Sequence, residues 1–223
     1  MSEFSGFSPD GLTFLAELGS KDKPWFDEHR KTYQSEVVVA AKAFVEAIGE
    51  ALAEGSYPLI QAVPKVNGSM APINNDLRFS PDASPYKDHL MFKFWEGAEK
   101  KTAPTLWLRL HPTDGIGFAS GTMLNDLDRW RAAIDKHGAT FVAAAEQLRD
   151  QLDADLVLDG LKRVPKPFAP DHARADYLRA KVFQLRWVTP VPESIGSASF
   201  VTDCVDQLER LADLHQWQVE HLG

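Results

Sequence analysis

The chain has 223 residues, 44% of them hydrophobic and 25% charged, a globular composition with enough apolar material for a sizeable core. Its formal net charge of −8, from 24 Lys and Arg against 32 Asp and Glu, argues against broad binding to nucleic acid or to an anionic membrane. A single cysteine, Cys204, excludes an intramolecular disulfide and suits a reducing compartment.

Met1-Ser2-Glu3-Phe4 lacks the basic and apolar blocks of a secretory leader. The most apolar run, Val37 to Leu52, is interrupted by Lys42, Glu46 and Glu50, so it is not a membrane span. The expectation is a soluble, cytoplasmic protein with no membrane segment.

Ser8-Pro9 opens a short helix, a capping hydroxyl followed by proline in the first turn, with Phe14, Leu15 and Leu18 facing inward. A long helix begins near Pro24. Its inward stripe reads Phe26, Tyr33, Val37, Ala41, Phe44, Ile48 and Leu52, and Gly55 ends it. Asn67-Gly68, between Val63–Val66 and Met70–Ile73, predicts a tight hairpin. Three alternating strands follow over 89–95, 104–111 and 115–121. Leu90, Phe92 and Phe94 share one face, as do Leu106, Leu108 and Leu110, and then Ile116 and Phe118.

Helical spacing returns with Leu127, Trp130 and Ile134 before Gly138, and with Phe141, Ala145, Leu148 and Leu152 after Thr140. Lys181 to Trp187 reads as another strand. A last helix from about Ser197 buries Phe200, Cys204, Leu208, Leu211 and Leu214, and leaves His215 and His221 facing solvent. With no repeat, linker or low-complexity tract, the chain reads as one α+β domain over 1–223, an antiparallel central meander packed against several helices.

The segment from Asn75 to Lys87 crowds Asp76, Arg78, Ser80, Asp82, Tyr86 and Lys87 around Pro81 and Pro85, which prevent an ordinary helix. Charged groups on such irregular backbone serve an ion-pair network or a ligand. Asp76, Arg78, Phe79, Ser80, Asp82, Pro85, Tyr86 and Lys87 closely resemble the central motif of an uncharacterised bacterial family, domain of unknown function 2461. Phe4-Ser5-Gly6-Phe7, Lys23-Pro24-Trp25-Phe26, His29-Arg30-Lys31 with Tyr33, and Gly160-Leu161-Lys162-Arg163-Val164-Pro165 through to Lys181 extend the resemblance over most of the chain. The resemblance implies no activity and no cofactor. Asn75 and Ala83 stand where the family has basic residues, and Pro72 where a further arginine is usual, so an anion site built on the motif is altered here.

The other face of the meander carries His89, Met91, Lys93 and Trp95, then Trp107, Arg109 and His111, then Gly117, Ala119 and Gly121. Small residues beside two cations, two histidines and two tryptophans suggest a groove floor. The plainer alternative is a solvated sheet face, with glycines that admit close backbone packing. The reading is therefore a site for a small anionic ligand shared by motif and sheet. Asp76 and Tyr86 are its candidate catalytic groups, and Arg78, Ser80, Asp82, Lys87, Arg109 and His111 its binding groups. The rival is a non-catalytic interaction protein whose motif is a structural ion-pair network. A nucleic-acid surface built on Trp95, Trp107 and Arg109 is disfavoured by the net charge. No zinc or phosphate-loop pattern is present, and no metal is assigned.

Overall fold

A computed structural model gives the fold, and it describes residues 3–78, 84–124 and 126–223. The chain is α+β. Helix α1 (Pro9–Leu18) starts where Ser8 Oγ accepts the Gly11 N–H at 3.1 Å. Helix α2 (Lys23–Thr32), capped by Asp22, runs into a π-helical turn at Tyr33–Val38 and on into α3 (Val39–Glu54). This is the long helix predicted from Pro24, and every member of its inward stripe is buried.

The strands are β1 (Leu90–Trp95), β2 (Thr105–His111), β3 (Gly115–Met123), β4 (Asp155–Val157) and β5 (Val182–Thr189). They form one antiparallel sheet in the order β1-β2-β3-β5-β4. Leu90, Phe92, Leu106, Leu108, Leu110 and Phe118 are all buried, so the predicted register holds. Helices α4 (Leu127–Leu152), α5 (Ala175–Arg179), α6 (Phe200–Glu209) and α7 (Ala212–Leu222), with a 3-10 turn at Glu193–Gly196, complete the described elements. None is long and apolar enough to cross a membrane, among the described residues.

Four expectations change. Val63–Val66 and Met70–Ile73 are not hairpin strands: Asn67 does turn the chain with φ 62°, but only a single bridge joins Val66 to Met70. Pro64 and Pro72 have no N–H to extend a ladder. The segment lies along β1 instead, where Ala71 N–H donates to Met91 O and Lys93 N–H to Ser69 O, each at 2.9 Å. Secondly, helix 127–152 passes unbroken through Gly138. Thirdly, the terminal helix is two, α6 and α7, and His215 on the second is 1% exposed. Finally, Gly121 is no groove floor. Its φ is +134°, and a Cβ there would lie 2.1 Å from Phe183 O on β5, so glycine is required by close backbone approach.

The described chain divides into two compact units. One comprises Met1–Phe94, Trp107–Gly117 and Val188–Gln207; the other comprises Trp95–Leu106, Phe118–Trp187 and Leu208–Gly223. In the first, Phe44 gathers Phe4, Phe7, Phe92 and Phe200 at ring separations of 5.1–5.7 Å. In the second, Phe141 meets Trp217, Phe183 and Trp130 at 4.3, 4.8 and 5.7 Å. Both are aromatic cores in which each ring removes a large apolar area from water.

Candidate functional site

The motif is pinned at its two ends. Asn75 donates from its side chain to Ser84 O at 2.9 Å and Tyr86 O at 3.0 Å, while its backbone N–H reaches Pro85 O. Asn75 thus closes the loop through neutral amide bonds. Ser80 and Asp82 lie outside the described residues. Asp76 and Arg78 form a forked ion pair, with Nε to Oδ1 at 2.8 Å and Nη2 to Oδ2 at 2.5 Å, and their side chains are 52% and 79% exposed. The guanidinium of Arg78 holds the Asp76 carboxyl below its ordinary range. A buried network built around Arg78 is excluded by that exposure.

Tyr86 stacks on Phe26 at 4.5 Å and is 5% exposed, which makes its ring part of the core, and burial raises its hydroxyl pKa. Lys87 donates its ammonium to the carbonyls of Pro72, at 2.7 Å, and Asn74. Both residues are engaged in holding the loop.

A second group of polar side chains converges where β1 begins and β2 ends. Asp88 Oδ1 is 2.7 Å from His89 Nδ1, and Asp88 Oδ2 is 3.4 Å from His111 Nε2. His111 Nε2 also lies 3.3 Å from Asp114 Oδ2, which in turn is 3.9 Å from the Arg109 guanidinium. The turn after β2 fixes the imidazole of His111, because its Nδ1 accepts the backbone N–H groups of Thr113 at 3.2 Å and Asp114 at 2.9 Å. The proton of neutral His111 therefore resides on Nε2 and points at the two carboxylates.

His89 is arranged the opposite way. A carboxylate at Nδ1 requires the proton there, so Nε2 carries the lone pair, and no described residue hydrogen-bonds to it. Burial, the largest effect, lowers the His89 pKa; Asp88 opposes it and Arg109 adds to it. For Asp88 burial pushes upward, but the bonds from His89 and His111 outweigh it, and the carboxylate is held below its usual range. Asp88 also packs tightly against Gly19 at the end of α1, where a Cβ would come within 3.0 Å of its own Cβ.

Among the described residues the Arg109 side chain, 32% exposed, has one ion-pair contact, to the 64%-exposed Asp114, and it is too long for a hydrogen bond. Its forked donors are open to a ligand anion. Strand parity had placed His89, Arg109 and His111 on one face. Asp88 and Asp114 lie outside the alternating positions, and their signal in the sequence is Asp88-His89 at a strand start and the Pro112-Thr113-Asp114 turn after His111. Among the described residues, no three His, Cys, Asp or Glu side chains could hold a metal ion.

The other unit holds its histidines differently. His172 accepts the Arg174 N–H at Nδ1, 3.0 Å, and gives Nε2 to Asp135 at 3.2 Å, so both nitrogens are used. His215 Nε2 is 3.1 Å from Glu96 Oε2, and Gln218 Nε2 donates to Ser120 Oγ at 3.0 Å. All four of these residues are buried, and burial pushes His215 down to about 4 and raises Glu96. Cys204 is buried in α6, and its thiol pKa is pushed up by that burial, as an inert core residue requires.

A family model described as Conserved hypothetical protein (DUF2461) matches residues 10–217. The chain belongs to this family. No curated protein and no solved structure matches it. Phe26, Tyr86 and Lys87 serve packing and loop closure, and His172 holds Asp135 on α4. The face with Asp88, His89, Arg109 and His111 has the open chemistry.

Proposed function

We propose that the protein binds a small anionic metabolite, a carboxylate or phosphate, on the polar sheet face, and that His89 takes a proton from it or from an attacking water. Arg109 holds the anionic group, Asp88 orients His89, and His111 keeps Asp88 in place. The observation that carries this reading is the Asp88–His89 pair: one ring nitrogen is fixed by a carboxylate and the other meets no hydrogen-bond partner among the described residues. Asp76, the candidate base by sequence, is tied to Arg78 on the exposed loop, and this favours His89 for the role. The reading of the motif as scaffold draws support from Lys87 and Tyr86, both spent on the loop and the core.

Titration with phosphate, sulfate and small carboxylates, followed by Trp107 fluorescence, tests the proposal. Lys93 lies over the Trp107 ring at 5.1 Å on the same face, so a bound anion there changes the emission. Arg109→Ala should abolish the response. His89→Ala should keep binding near pH 7 but lose its strengthening at lower pH, because a bound anion favours protonated His89 over its depressed free state. Unchanged emission and melting temperature with every anion would defeat the proposal.

A further inference from the structure

The π-helical turn at Tyr33–Val38 shapes a recess of about 220 Å³ between the helical run and the first residues of the chain. Turns of this kind are frequent at functional sites. The volume equals that of roughly seven liquid waters. Glu36 is on its wall, with Ser8 and Ser35 beside it; Val39, Ala40 and Phe4 supply apolar surface, and Glu3 stands at the exposed rim.

The carboxylate of Glu36 is held in a fixed attitude. Ser8, whose oxygen already accepts the Gly11 N–H, gives its own hydrogen to Glu36 Oε2 at 2.9 Å. Ser35 donates to Oε1 at 3.0 Å. Each oxygen keeps a further lone pair, since a carboxylate offers about four acceptor positions. Both partners are neutral hydroxyls, and no cationic side chain among the described residues pairs with Glu36. Half-buried carboxylates are ordinarily matched by a cation. Next to it Val39 leaves 51% of its surface exposed, an apolar wall on the same recess.

We propose that this recess is a ligand site for a small organic ammonium ion with a short hydrocarbon body. The ammonium donates to the free lone pairs of Glu36, and the hydrocarbon covers Val39, Ala40 and Phe4. Calcium or magnesium is a poor fit, because such ions need about six oxygen ligands and the apolar wall offers none. The net charge of −8 raises the local concentration of any cation. This site does not depend on the chemistry of the sheet face, and its test reads different residues.

The experiment titrates the full chain with n-butylammonium chloride, followed by backbone amide NMR, with 1-butanol as the neutral isostere. The expected result is saturable shifts at Ser35, Glu36 and Val39 with the ammonium and none with the alcohol. Glu36→Gln should weaken binding at least about tenfold, as loss of a charged acceptor does. Ala40→Leu, which fills the recess and leaves the Ser8 and Ser35 bonds intact, should do the same, and it keeps the test valid if Glu36→Gln disturbs the fold. Equal binding of the alcohol, shifts that never saturate, or wild-type affinity in the Ala40→Leu protein would each overturn the proposal.

Discussion

Asp88–His89 in one compact unit and Asp135–His172 in the other are both aspartate–imidazole pairs, and they differ in what the second ring nitrogen does. In His172 the backbone of Arg174 occupies it, so the ring is a bracket between two pieces of chain. In His89 no described residue takes it. Glu96–His215 carries the contrast further, since that pair is sealed in the core, whereas Asp88 and His89 are partly open to water. Residue type therefore does not separate a histidine that brackets two pieces of chain from one with an unengaged ring nitrogen. The accounting of both nitrogens, together with exposure, does.

The comparison is sharpest in stability. His215→Ala should cost roughly 3 kcal/mol or more, through a cavity and a buried Glu96 carboxyl left without its partner. His89→Ala should cost about 1 kcal/mol, because water replaces the lost contact to Asp88. Urea unfolding of both variants checks this, and equal losses would erase the distinction.

Acid gives the next effect. The folded-state pKa of His215, about 4, lies below its unfolded value, so its contribution is complete above pH 6.5 and is lost as the pH falls toward 4. The loss amounts to at most about 3 kcal/mol. Glu96 works oppositely: its raised pKa makes stability fall as the pH rises above its unfolded value near 4.5, which offsets part of the change. Unfolding free energies at pH 7 and pH 4.5 should differ more in the wild type than in His215→Gln.

Smallest are the effects within the motif. Lys87→Met removes the tie to Pro72 and Asn74 and should cost about 1 kcal/mol. Arg78→Ala breaks a pair whose side chains are largely exposed, and its urea midpoint should match the wild type. A large loss in Arg78→Ala would restore the network reading of the motif.

The sheet was legible in the sequence because strict alternation allows only one register: moving Leu108 inward moves Arg109 outward. The long helix from Pro24 was legible from its spacing and its stop at Gly55, although the π turn inside it was not, since Tyr33, Val37 and Ala41 keep an ordinary fourfold spacing. Gly138 and Leu211 misled in opposite directions. A glycine inside a run of otherwise sustained helical spacing did not end α4, whereas the leucine stripe ran straight through the gap between α6 and α7. His215 was assigned outward by its polarity, yet it is one residue beyond Leu214 on the inner stripe, and Glu96 continues the inner parity of Phe92 and Phe94. Two polar residues at inward positions on different elements are the signal of a buried pair. Asp88 had no such pattern, because its role depends on where His111 arrives from the neighbouring strand.

Helix α7 presents His215 to Glu96 and Gln218 to Ser120, three residues apart on one side. A helix seated by leucines alone can turn about its long axis and still find grease to rest on. Here a shift of one residue would swing the side chains by roughly 100° and carry both hydrogen bonds away together. The pair works like the teeth of a key, admitting a single angular setting of the final helix. Mutations elsewhere on α7 can thus change how firmly it is seated without changing which way it faces.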